Sequence, residues 1–146
     1  MRTTLLAAAL LAAAPAFAAD IGIVKVSKGA VQVQRGTERF AAKVGTPVQT
    51  SDVIVTGADG SAGITFTDNS LVSVGPNSVF AIDKYRFDST THSGEFEGNL
   101  RQGRLAAVSG KMVKQSPETM KIRTPSAIMG VRGTEFVVQV DEPRKP

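Results

Sequence analysis

Three stretches of the 146-residue chain gather side chains that could do chemistry. The sharpest is Thr124-Pro125 with Arg132-Gly133-Thr134-Glu135, which places a guanidinium, two hydroxyls and a carboxylate within twelve residues. A guanidinium presents five N–H donors in a planar fork, a shape suited to a ligand carboxylate or a protein partner. The same fork suits the carbonyls of a β-turn or a buried carboxylate, where Arg132 would lock the C-terminal closure of the fold. Ile128, Met129, Val131 and Phe136 surround it with apolar side chains, which favours that structural role. Arg132, Thr124, Thr134 and Glu135 stand as the candidate binding residues. Glu135 is too close in sequence to Arg132 to be assigned as its ion-pair partner.

The other two stretches are Asp59-Gly60-Ser61 and Asp68-Asn69-Ser70, which have the look of calcium turns. Calcium loops need several oxygen ligands at fixed spacing. Each of these turns offers one Asp, so no metal is expected. Catalysis finds little to work with. His92, the one histidine, lies among Ser and Thr, and the absence of cysteine removes thiol nucleophiles. No nucleophile-elbow or phosphate-cradling glycine sequence is present. Glu95 and Glu97 share one face of a strand, a pattern expected of a solvated edge that discourages aggregation. The expectation is a non-enzymatic protein without a cofactor.

The elements that must hold these residues read as all-β. Short apolar–polar alternations are punctuated by turn residues, and no segment after residue 20 sustains a helical stripe. Strands are expected at Ala19–Ser27, Val31–Gln34, between Pro47 and Ser51, at Val53–Thr56, at Met120–Arg123 and at Thr134–Val140. Glu95–Arg101 and Leu105–Val108 read as two strands with Gln102-Gly103 as a corner between them. Residues 88–93 read as a polar loop and Lys111–Thr119 as a polar connection.

The strongest regularity is three octads in register: Ile64–Leu71, Val72–Val79 and Phe80–Phe87. Position one is Ile64, Val72 and Phe80, and position three is Phe66, Val74 and Ile82. Alternation puts these six side chains toward one interior. Asp68-Asn69 and Pro76-Asn77 fall mid-octad, and Asn and Asp suit tight corners because they tolerate the left-handed region. Two architectures fit. One is a twisted, solenoid-like coil with about 24 residues per three-sided rung, pairing rung to rung. The other is an antiparallel meander folded into a β-sandwich.

The N-terminus stands apart. Arg2 precedes the apolar run Leu5–Ala14, then Pro15, and Ala16-Phe17-Ala18 has the small-x-small form of a signal-peptidase site. The run is shorter than the roughly 20 apolar residues of a membrane span. Cleavage after Ala18 would take 18 of the 146 residues and leave 128, enough for one domain over 19–140 and a charged, disordered tail over 141–146. Without cysteine the exported chain would hold together by packing alone. Loss of Arg2 lowers the formal charge from +4 to +3, and the basic residues are dispersed with one Tyr and no Trp. Nucleic acid is therefore not an expected partner.

Asp52–Gly57, Gly60-Ser61-Ala62, Phe66–Leu71 and Val74–Ser78 together resemble the core signature of the FecR domain. So does Ile122–Phe136, whose Thr124-Pro125 and Arg132-Gly133-Thr134 form its most specific part. The resemblance covers about residues 25–140. It implies a twisted, coil-like all-β unit and so favours the solenoid-like arrangement of the octads. In the family's best-known members this domain is the periplasmic part of a transmembrane protein that relays a signal from an outer-membrane siderophore receptor to a sigma factor. This chain departs from that pattern in having a cleavable signal in place of a cytoplasmic segment and internal span. It also has little length after the motif for a receptor-contacting subdomain. The expectation is a periplasmic or secreted interaction or sensory module with a protein partner or envelope ligand. A structural or assembly protein of the cell envelope is the alternative, and a Ser/Asp hydrolase is the remote third.

Overall fold

The structure, a computed structural model, describes residues 19–131 and 135–140. The expected signal sequence over 1–18, the expected tail over 141–146, and Arg132 and Thr134 of the candidate binding set lie outside the described residues. The strands run β1 Asp20–Lys28, β2 Val31–Arg35, β3 Glu38–Ala41, β4 Pro47–Gln49, β5 Val53–Thr56, β6 Ser61–Phe66, β7 Leu71–Val74, β8 Val79–Phe87, β9 Gly94–Val108, β10 Met120–Arg123, β11 Ile128–Gly130 and β12 Glu135–Val140. Among the described residues one helix, α1, occupies Lys111–Gln115 between β9 and β10.

All twelve strands belong to one open sheet that curls into two wings. The first wing runs β4-β1-β6-β7-β9-β12. The second runs β3-β2-β5-β8-β9-β10-β11. β9 is long enough to serve both. Its Gly94–Gln102 part pairs with β8 and, on the other side, with β10, while Gly103–Val108 lies between β7 and β12. The bend falls at Gly103, whose φ is +95°. A Cβ there would collide with Ser78 Oγ, so only glycine lets β9 pass. Gln102-Gly103 is thus a kink inside one strand, where the sequence pattern suggested a corner between two.

The six octad side chains meet inside, as their spacing requires. Ile64, Phe66, Val72, Val74, Phe80 and Ile82 are each at most 2% exposed and belong to one hydrophobic cluster. Phe66 of the first wing meets Phe96 of the second edge to face, with ring centres 4.8 Å apart, and stacks on Tyr85 at 5.3 Å. Position eight turns outward: Leu71 is exposed, and Val79 and Phe87 are half-buried. The octads do not stack as rungs of a coil. Ile64 faces Val72 across an antiparallel pair, whereas Phe80 lies in the other wing between Ile54 and Leu100. Among the described strands the parallel pairing is β9 with β10, where Met120 faces Phe96, 24 residues earlier and outside the octads.

The two mid-octad corners differ in kind. Asp68-Asn69-Ser70 reverses the chain from β6 into β7 within the first wing. Asn69 N–H donates to Phe66 O at 3.0 Å and Phe66 N–H to Ser70 O at 2.9 Å. Pro76-Asn77-Ser78 instead carries the chain from β7 across to β8 in the second wing. Asn69 and Asn77 both adopt left-handed φ, +67° and +51°.

Three short elements were not signalled by pattern. β3 and β11 span four and three residues, too few to show alternation. α1 has five residues and buries Met112 and Val113 under the sheet, held at its start by Lys111 N–H donating to Asp68 O.

Candidate functional site

The kink in β9 decides where a groove can form. On one side of β9 the neighbours are β10 and then β12, and they belong to different wings. They therefore diverge, leaving an open groove of about 590 Å³. Its walls are the Thr124–Ala127 turn with Met129, the end of β12 at Val138–Val140, and Arg101, which β9 presents just before its kink. Arg101 is exposed, as are Pro125, Ser126 and Ala127, while Val138 is buried at the base.

Thr124 lines this groove, but its polar atoms are engaged. Its N–H donates to Ala127 O at 2.8 Å, and its hydroxyl accepts from Ala127 N–H at 3.1 Å and donates to Ala127 O at 3.3 Å. These bonds close the β10–β11 turn after the proline, so Thr124 shapes the wall. Glu135 lies elsewhere, exposed at the start of β12 opposite Val108. The described members of the predicted set are therefore separated, one on the groove and one at the far end of a strand. Arg101 and Val138–Val140 were not singled out in the sequence. The available signal was Gly103, since a glycine inside a strand pattern marks a bend or a close approach.

The turn carboxylates that resembled calcium ligands are used internally. Asp68 is fully buried; its Oδ1 accepts from Ser70 N–H at 3.0 Å and Tyr85 O–H at 3.2 Å, and its Oδ2 from Ser70 O–H at 2.7 Å. Ser70 Oγ in turn accepts from Gly110 N–H at 3.1 Å. Burial pushes the Tyr85 hydroxyl up to about 12. Asp59 accepts from Ala30 N–H at 3.2 Å.

Glu95 and Glu97 are not on an edge, because β8 and β10 flank β9 there. Glu97 faces Lys84 at 3.9 Å and Lys121 on the other side, and Glu95 stands opposite Arg86. His92 stacks on Phe87 with ring centres 6.0 Å apart, in a loop tied by Thr90 and Thr91 N–H donating to Asp88. Those two N–H donors hold the Asp88 carboxyl below its usual range.

Asp52 opens the second wing's third strand from a buried position. Arg35 of β2 clamps it with both arms of its fork, Nε to Oδ1 at 2.9 Å and Nη2 to Oδ2 at 2.8 Å, and Gln49 N–H adds a third bond at 2.8 Å. The hydrogen bonds that Arg35 donates to Asp52 raise the Arg35 pKa above its ordinary value. Phe40 packs under the same guanidinium, 5.2 Å from ring centre to Cζ.

Fold and groove together define an all-β protein whose open sheet is bent around one shared strand. The family model described as FecR protein matches residues 52–145, well over half of the chain, and the chain belongs to that family. The match begins at Asp52, so β1–β4 precede it; they complete both wings and supply Arg35 to its first carboxylate. No curated protein and no solved structure matches the chain. Among the described residues no helix is long and apolar enough to cross a membrane.

Proposed function

We propose that this chain is a periplasmic, non-enzymatic FecR-family module that binds a protein partner in the groove between the Thr124–Ala127 turn and the end of β12. The observation that carries the proposal is the position of that groove. It lies within the family segment, its turn is internally braced, and its exposed surface is a guanidinium beside apolar side chains. Arg is favoured where a protein contact must be both charged and desolvated. Export is supported by the Arg2, Leu5–Ala14 and Ala16–Ala18 pattern, and the family's association with periplasmic signal-transduction regulators supports a sensory role.

A photo-crosslinking amino acid at Ala127, expressed in cells, is expected to capture one periplasmic protein. Arg101→Glu should reduce that adduct by about tenfold, the effect of reversing a charge at an interface. If position 127 yields no adduct beyond the level seen from Asp83 on β8, the groove is not the binding surface.

A further inference from the structure

The curled sheet is open, so it ends in strand edges with unpaired backbone groups, and such edges recruit other strands unless blunted. Four strands pair on one side only among the described residues: β3, β4, β11 and β12. Three carry the usual protection. β3 has four residues, two of them the charged Glu38 and Arg39. β4 has three and begins with Pro47. β11 has three and ends in Gly130. β12 differs in every respect: six residues, Glu-Phe-Val-Val-Gln-Val, with one charge, no proline and unbroken register along β9. Val137, at its middle, is 68% exposed, the most of the exposed large hydrophobics.

We propose that β12 pairs antiparallel with β12 of a second copy of this chain, about a two-fold axis through Val137. The charge pattern selects this occupant. Antiparallel neighbours facing each other point to the same side of a sheet. Centring on Val137 therefore sets Val137 on the partner's Val137, Phe136 on the partner's Val138, and Glu135 on the partner's Gln139. Within one chain Arg104 Nη2 already donates to Gln139 Oε1 at 3.2 Å, and Arg104 is exposed. Each Glu135 thus arrives beside a guanidinium, twice, and no like charges meet. An isologous pair of this kind is closed, so the edge is consumed without polymerising.

The absence of cysteine makes the test direct, since Val137→Cys introduces the only thiol. Sedimentation of the purified protein is expected to show a dimer. Mild oxidation of Val137→Cys should link nearly all of it into disulfide dimers, because facing strand residues lie within disulfide reach. Ser73→Cys, on the same sheet face but away from the edge, should not link. Val137→Lys should raise the dimer dissociation constant about tenfold or more through like charges meeting on the axis, with a melting temperature matching the parent's only at concentrations where both are monomeric. Should that variant not fold, Glu135→Arg serves the same purpose by facing the partner's Arg104. A monomer up to about 100 μM, far above the dissociation constants of stable dimers, overturns the inference. So does a dimer that Val137→Cys fails to trap, or a strand of a different protein seated on β12. Val138–Val140 belong to both surfaces, so an adduct at residue 127 supports the groove only when the captured protein is not this chain, while the disulfide at 137 tests the edge alone, and the two proposals fail separately.

Discussion

The two corners, Asp68-Asn69-Ser70 and Pro76-Asn77-Ser78, occupy the same octad positions yet send the chain in different directions. Both keep the left-handed Asn and a buried Ser. They differ one residue earlier. Asp68 offers a carboxylate that accepts the Ser70 N–H and O–H, so the turn closes on itself and β7 returns beside β6. Pro76 has no side-chain acceptor. Ser78 N–H therefore goes to Thr56 Oγ1 at 2.9 Å, Asn77 N–H to Gly57 O at 3.0 Å, and Ser78 Oγ takes Arg104 N–H at 3.0 Å. The first corner closes through its own carboxylate, with Tyr85 and Gly110 bonded to Asp68 and Ser70 from outside; the second is tied mainly to Thr56, Gly57 and Arg104. Identical spacing fixes which side chains go inward; the single polar side chain fixes where the strand goes next.

The largest expected effect removes what both corners share. Val74→Asp puts an unpaired carboxylate in the interior between them and should abolish folding, costing more than about 4 kcal/mol. A cooperative thermal melt near that of the parent would show that the octad interior is misassigned. Asp68→Ala and Thr56→Val then separate the corners. The first strands the Ser70 and Tyr85 donors and should cost about 3 kcal/mol in urea unfolding; the second removes a distant acceptor and should cost about 2 kcal/mol. If Asp68→Ala is milder than Thr56→Val, the local corner is not self-sufficient.

Alkaline pH acts on one corner alone, because Tyr85 donates to Asp68 and accepts Asp68 N–H. Its folded pKa is raised from 10.0 to about 12, so the neutral form is favoured in the fold. The stability this supplies is complete below pH 10 and lost as pH rises toward about 12. Tyr85→Phe should flatten the melting temperature over that window. The smallest effect is expected from Asn69→Ala and Asn77→Ala, each about 1 kcal/mol, because Ala tolerates positive φ less well than Asn. A difference between them in chemical denaturation would mean that the Asn side chains, and not only their backbones, distinguish the corners.

Much of this was legible in the residues. Period-two alternation identified the inward set Ile64 to Ile82, and Asn at a fixed octad position identified the left-handed corners. The direction taken at each corner was not legible, since it rests on Thr56, Gly57 and Arg104, remote in sequence. The same limit applied to Glu95 and Glu97, whose flanking strands come from either side of them in the chain. Of the candidate site, the Thr124-Pro125 turn was found as a motif, and its hydroxyl proved to brace the turn. The opposing wall could not be found, because its position depends on a kink at Gly103 that separates two strands running alongside β9.

That kinked strand also sets how the molecule comes apart. Fifteen consecutive residues contribute hydrogen bonds to both wings, so neither wing can lose its neighbour without fraying the other. Amides at Gly98 and Ala107 should exchange with solvent at one common rate-limiting free energy, that of global opening. A protein built this way has no half that survives alone, and a protease cut at Gly103 would release both halves as unfolded chain.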